Sequence, residues 1–278
     1  MTIFFIKFFL TVFGVIALSE IAKRIHPAVA GILMGLPLNA AIASFFFHYE
    51  QGFVFLMETL PWGIAGLSST TVFALAYLCM GRLCRNLPRA AQICLTALFA
   101  LCCWGGFGLF LRQVPMNLLV AVSIFVLVTA GNLKILKFFP YQGDKTSNAA
   151  SSFRIILFRA AVAGASISLV TGFANIIGVA WSGIAGTFPA FMFPLLIVLH
   201  FEDGWKTYPG VIHAFSRSIT NLLLFYLGLR VLLPLLGIYI SYLILYPASA
   251  LYLWQLERLR RRRTDTALLR EIDAEIVL

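Results

Sequence analysis

The sequence predicts an all-α polytopic membrane protein of about nine transmembrane helices, arranged as two inverted four-helix repeats joined by a linking helix. Three observations predict it. Apolar stretches long enough to cross a hydrocarbon core of roughly 30 Å recur along the whole chain. A block of sequence occurs twice, at a constant offset of 152 residues (His48 to His200). Basic residues, finally, collect in alternate connections.

The apolar stretches run over 3–22, 28–47, 55–81, 90–111, 116–138, 154–174, 179–200, 210–233 and 236–254. With 61% hydrophobic and 12% charged residues and a mean hydropathy of +0.93, a soluble domain of this length is excluded. The first stretch is too long for the apolar region of a cleaved signal and lacks a small-x-small site after it, so it is expected to stay as a span. The third carries Pro61 and Gly63, which predicts a kink there.

The net charge of +10 reads as topology rather than as affinity for nucleic acid. With loops alternating through nine spans, one side collects Lys23, Arg24, Arg82, Arg85, Arg89, Lys134, Lys137, Lys145, Arg154, Lys206, Arg258 and 260–263. The other receives little beyond Arg112 and Arg230. The positive-inside rule makes the rich side cytoplasmic, with the N-terminus outside and the C-terminus inside. Cys79, Cys84, Cys94, Cys102 and Cys103 form no Cys-x-x-Cys pair; they read as small residues for helix packing.

The repeat matches Gly31-Ile32, Pro37, His48, Glu50 and Gly52 with Gly183-Ile184, Pro189, His200, Glu202 and Gly204. In the same frame Tyr49 meets Phe201, Phe53 meets Trp205 and Lys7 meets Arg159. The first span thus pairs with the sixth, and so on to the fourth and ninth, leaving the fifth without a partner. An odd shift means that equivalent spans cross in opposite directions, a plan common in transporters. The organisation is a first repeat over 1–115, a linking helix and cytoplasmic loop over 116–152, a second repeat over 153–256 and a basic, amphipathic tail over 257–278.

The stretch from Ile21 to Leu83, with Ala30-Gly31-Ile32-Leu33, Pro37 and Glu50-Gln51-Gly52, resembles the small four-helix bacterial inner-membrane protein GlpM and its relatives. Ser182-Gly183-Ile184-Ala185, Phe188-Pro189 and Glu202-Asp203-Gly204 repeat the likeness. Each half would then correspond to one short family member. The resemblance implies a bacterial inner-membrane location and a link to exopolysaccharide production. As architecture alone, the plan is similar to drug/metabolite transporters.

Candidate site residues fall into three groups. Pro37 and Pro189 each interrupt a span, and proline there frees carbonyls that need a partner or a water-lined cavity; Asn39 adds a polar side chain beyond the first. Such breaks mark either a central site or packing kinks. His48, Glu50 and Gly52, like His200, Glu202 and Gly204, end their spans as structural turns or as gates at opposite mouths. That separation excludes a metal site shared between them, and no cofactor is expected.

Charged residues inside spans form the third group. Lys7, Arg159 and Arg217, with Asn39, are the candidate substrate-binding residues; Glu58 and His213 are the candidates for a coupling proton. A structural ion-pair network competes with this reading, and snorkelling accounts equally well for Lys7 and Glu58. Asn221 and Thr70 or Thr71 can hydrogen-bond between helices, and Gly63, Gly66 and Gly183 suit close packing.

Membrane lipids are the expected partners, with anionic headgroups at the tail after Arg258. A homo-oligomer stays open. No phosphate-binding glycine loop, zinc helix motif or nucleophile elbow occurs, so an enzyme is not expected. The expected function is secondary transport or flipping of a small or lipid-linked anion by alternating access. The alternative is a non-transporting membrane subunit that assists envelope or exopolysaccharide biosynthesis.

Overall fold

The computed structural model of this protein describes residues 8–9, 12–13, 35–139, 153–206 and 208–276. The first span, the start of the second and the loop with Lys145 lie largely outside the described residues, as does Lys7. Among the described residues every regular element is helical. They are α1 (Leu38–Leu83), α2 (Arg89–Arg112), α3 (Leu118–Leu136), α4 (Phe153–Gly172), α5 (Ala174–Gly186), α6 (Met192–Asp203), a 3₁₀ turn (Gly204–Lys206) and α7 (Tyr208–Ile276). Four are long and apolar enough to cross a membrane, and α4 with α5, bent by 119°, would make a fifth.

Two of these helices are longer than any bilayer requires. A straight helix of 46 residues would reach about 69 Å, twice a hydrocarbon core. Gly52 divides α1 at φ 89° and Gly237 divides α7 at φ 72°, a backbone region open to glycine and strained for other residues. The rings of Phe47 and Phe55 lie 5.9 Å apart, although eight residues of straight helix would rise about 12 Å. Thr220 bonds Tyr252 at 2.8 Å and Phe225 stacks on Tyr242 at 5.9 Å, so α7 is an antiparallel hairpin. The limbs are α1a (38–51), α1b (53–83), α7a (208–236) and α7b (238–276). Gly204 turns the chain likewise, bringing the His200 and Tyr208 rings to 4.6 Å.

Pro61 keeps helical backbone angles inside α1b, as a proline kink does. Gly52 is the interior position of α1 with non-helical angles, because a lone proline costs one hydrogen bond and the flanking turns hold. The linking helix α3 starts at an Asn117 cap, whose side-chain oxygen accepts from the Val120 N–H at 2.9 Å.

The core forms around α1b. In the most apolar window of α1, 78% of residues are buried, against 28% in α2 and 22% in α3. The outer helices turn large apolar side chains outward, Leu119, Leu127 and Leu243 among them, a surface suited to lipid. Against α1b pack α5 and α7a. Gly63 meets Tyr226 and Gly81 meets Tyr208, so α1b and α7a run antiparallel. The ends sort consistently. Arg89 donates to the Phe201 carbonyl at 2.9 Å, and Arg82 lies over the Phe139 ring at 5.2 Å, at one end of the bundle. Phe45 and Tyr239 meet at 6.3 Å at the other.

Gly183 sets how closely α5 approaches α1b. A Cβ there would stand 2.5 Å from the Trp62 Cβ and 2.6 Å from the Thr59 carbonyl, atoms of a rigid helix that cannot yield. Gly183→Ala is therefore expected to destabilise by about 1–3 kcal/mol, read as a lower unfolding temperature in detergent. An unchanged melting curve would mean that the helices are not packed backbone to backbone.

Candidate functional site

Both proline breaks have the same backbone construction. The Leu38 N–H reaches back over Pro37 to the Leu36 carbonyl at 2.9 Å, and the Ala190 N–H reaches over Pro189 to the Phe188 carbonyl at 2.7 Å. Helix resumes next, with Ala41 N–H to Pro37 carbonyl at 2.7 Å and Phe193 N–H to Pro189 carbonyl at 2.8 Å. Each pair of positions is separated by the same 152 residues as the sequence repeat. The proline forces both turns: it has no N–H to continue the helix and fixes its own φ.

These breaks meet. The Asn39 side-chain amide donates across to the carbonyls of Gly186 at 3.0 Å and Phe188 at 2.8 Å. Thr70, near the middle of α1b, donates to the Thr187 carbonyl at 2.7 Å. Asn221, near the middle of α7a, donates to the Gly35 carbonyl at 2.9 Å. Gly35 and Thr187 are equivalent in the repeat, so each freed carbonyl is held by a polar side chain from the midpoint of a neighbouring limb. Thr187 also turns its hydroxyl onto the Ile184 carbonyl at 2.7 Å. The result is a polar crossing inside an otherwise apolar bundle.

Two helices begin at the crossing. Neither α1a nor α6 has a side-chain cap on its first turn, so both present the positive ends of their dipoles. Beside Asn39 is a cavity of about 10 Å³, walled by Ala43, Ser166, Val170, Ala185, Gly186, Phe188 and Ala190. That is room for at most one water beside Asn39. The side-chain oxygens of Asn39 and Asn221 are buried there without a hydrogen-bond partner.

The structure distributes the sequence candidates unevenly. Pro37, Pro189 and Asn39 form the crossing. Arg159 lies on α4, its side chain outside the described residues. Glu58 is exposed at the start of α1b and does not reach the crossing, since it lies in the second turn after the Gly52 reversal. His213 is half-buried at the end of the bundle, its Nε2 2.8 Å from the Phe139 carbonyl. Arg217 is exposed on the stripe that runs His213, Arg217, Asn221, one helical turn per step. His48 and Glu50 are half-buried beside Gly52, while His200 is fully buried and Glu202 exposed beside Gly204. Among the described residues no group of His, Cys, Asp and Glu could hold a metal ion.

Sequence reasoning took Asn221 and Thr70 as packing hydrogen-bonders and passed over Thr187. The signal that would have found them is their polarity at the midpoints of spans, where an unsatisfied carbonyl is most costly.

Replacing Asn39 tests the crossing. Asn39→Ala removes two hydrogen bonds and takes the Asn39 donor from the Gly186 carbonyl, while the Phe188 carbonyl keeps the Ala190 N–H, and should cost about 1–3 kcal/mol; Asn39→Asp should cost more at neutral pH, because a carboxylate would face both carbonyl oxygens. Unfolding temperatures that rank the aspartate above the alanine variant would contradict the hydrogen-bond pattern.

Comparison of the chain with protein-family models, with curated proteins and with solved structures finds no match.

Proposed function

We propose that this protein is a secondary transporter of a bacterial cytoplasmic membrane, working by alternating access between two inverted repeats. One observation carries the reading: two proline turns of the same backbone construction, 152 residues apart in sequence, meet beside the midpoints of α1b and α7a, where Asn39 of the first holds carbonyls of the second and Thr70 and Asn221 hold one carbonyl of each. Interrupted helices at corresponding positions of two halves are where transporters bind their cargo. Each break exposes backbone that an unbroken helix would satisfy internally, and here neighbouring limbs must supply the donors.

Inversion is supported by the antiparallel packing of α1b and α7a, the limbs that correspond in the repeat. Nine spans follow when α1 and α7 are each counted as two, α6 completes the span begun in α5, and the segments before residue 35 are added. The meeting of Arg89 with Phe201 and of Arg82 with Phe139 at one end agrees with a cytoplasmic side rich in arginine.

The cargo in this reading is a small or lipid-linked anion. Two uncapped helix N-termini point at the crossing, and Arg217 stands one turn from Asn221 on the stripe leading inward. Exposure of Arg217 in mid-helix is tolerable only beside water or headgroups, which suits a vestibule. The basic tail, where Arg258 covers the Trp254 ring at 5.3 Å, would rest on anionic lipid.

Sidedness is the experiment. In a background lacking the five native cysteines, Gln51→Cys should react with an impermeant thiol reagent in intact cells, and Asp203→Cys only after permeabilisation. Equal reactivity of the two would remove the inverted arrangement and leave an accessory subunit of envelope biosynthesis as the better reading.

A further inference from the structure

His200 occupies a socket that its position does not require. It lies four residues before the reversal at Gly204, next to exposed Phe201 and Glu202, where a histidine is free to turn to solvent. Instead its ring is fully buried. Tyr77 Oη is 3.1 Å from Nδ1, and the Tyr208 ring lies 4.6 Å away. Both tyrosines are themselves fully buried.

The socket holds two polar atoms with no partner. His200 Nε2 and Tyr208 Oη are buried and make no hydrogen bond among the described residues. Whichever tautomer Tyr77 selects, Nε2 is left either as an idle N–H or as an idle lone pair. Gly81 keeps the space: a Cβ there would collide with the Tyr208 hydroxyl and lie 3.6 Å from His200 Cε1. Gln92 donates to the Gly81 carbonyl at 3.2 Å, fixing that wall.

We propose that His200 binds the coupling proton of the transport cycle, and that the neutral imidazole under Tyr77 and Tyr208 latches this mouth shut. The proposal rests on the transporter reading above. The groups facing the ring are the Tyr77 and Tyr208 hydroxyls, the Gln92 amide and, on the adjoining turn, the Arg89 guanidinium that binds the Phe201 carbonyl. Among these groups there is no carboxylate to balance an imidazolium. A proton taken up at whichever ring nitrogen carries the lone pair therefore leaves an uncompensated charge in an aromatic socket beside an arginine, and the socket must open to hydrate it.

The other mouth is built differently. His48 is the counterpart of His200, but the positions in register with Tyr77, Tyr208, Gly81 and Gln92 are Leu229, Leu56, Leu233 and Ile244. One mouth is thus a proton latch and the other an apolar seal, which gives the cycle a direction.

The test reads accessibility in a cysteine-free background reconstituted in membrane vesicles. Leu196→Cys, fully buried one turn inward from His200, reports this mouth, and Ala43→Cys reports the crossing. Labelling of Leu196→Cys should rise at least about tenfold as pH falls below the ordinary histidine value of about 6.5, where the hydrated imidazole of the open state binds a proton that the closed socket disfavours. His200→Gln, which keeps a bond to Tyr77 but cannot titrate, should flatten the profile. Tyr77→Phe guards against misfolding of that variant: it weakens the latch, so the midpoint should move to higher pH. A pH profile unchanged by His200→Gln, or unmoved by Tyr77→Phe, overturns the proposal. If Ala43→Cys is then reached from both membrane sides in turn, transport stands without this latch; if it is reached from neither, the transporter reading falls as well.

Discussion

The structure depends on how carbonyls freed by proline are satisfied away from water. In hydrocarbon each unpaired backbone group costs on the order of several kcal/mol, so a break in mid-span is admissible only where another part of the protein supplies a donor. Here the breaks at Pro37 and Pro189 are placed against each other, and the donors come from Asn39, Thr70 and Asn221. That requirement fixes much else. The midpoints of α1b and α7a must lie beside the breaks, and α5 must approach α1b closely enough for Thr70 to reach Thr187. Gly66 and Gly183 permit that approach, since a Cβ on either would meet backbone of the facing segment. The apolar core around Leu60, Ile64 and Leu67 then closes over a polar centre whose freed carbonyls are already paired.

What was legible in the sequence follows from this division. Local constraints were readable: glycine at positions 52 and 204 marks reversals because the chain needs positive φ there, and the two prolines mark breaks because neither can donate. Pairings were not readable. Nothing near Asn39 in sequence names Gly186 as its partner, 147 residues away, and the Tyr77–His200 bond joins residues 123 apart. Pro61 keeps helical angles within α1, whereas Pro189 follows the end of α5 at Gly186 and stands in a turn. Glu58 is exposed, in line with the snorkelling reading, since one acidic residue near a span end has water within reach and need not turn inward.

Symmetry in this chain holds for the backbone and stops at the side chains. The two breaks share their hydrogen-bond pattern residue for residue, yet Asn39 corresponds to Phe191, and Tyr77 to Leu229. An exchange of conformations between two halves needs only the first kind of likeness: equal hinges, so that each half can adopt the shape of the other. Unequal side chains do no harm to that exchange and bias its two end states. Asn39 tightens one break onto the other's carbonyls with a bond that the second repeat cannot return, so the halves are not interchangeable in energy.

Under the proposed transport reading, the electrostatics of the crossing favour an anionic cargo. Two helices start there without caps, and the polar residues that hold the breaks, Asn39, Thr70, Thr187 and Asn221, are all neutral. A site for a bare cation would set its charge against two positive helix ends with no carboxylate among those residues, whereas an anion meets both dipoles favourably. Neutral residues also let the empty crossing close to a void no larger than a water, which a fixed charge would resist through its need for hydration. A centre that attracts an anion by oriented backbone, rather than by a permanent ion, can shut dry after release, and shutting dry is what an alternating-access cycle demands of its empty state.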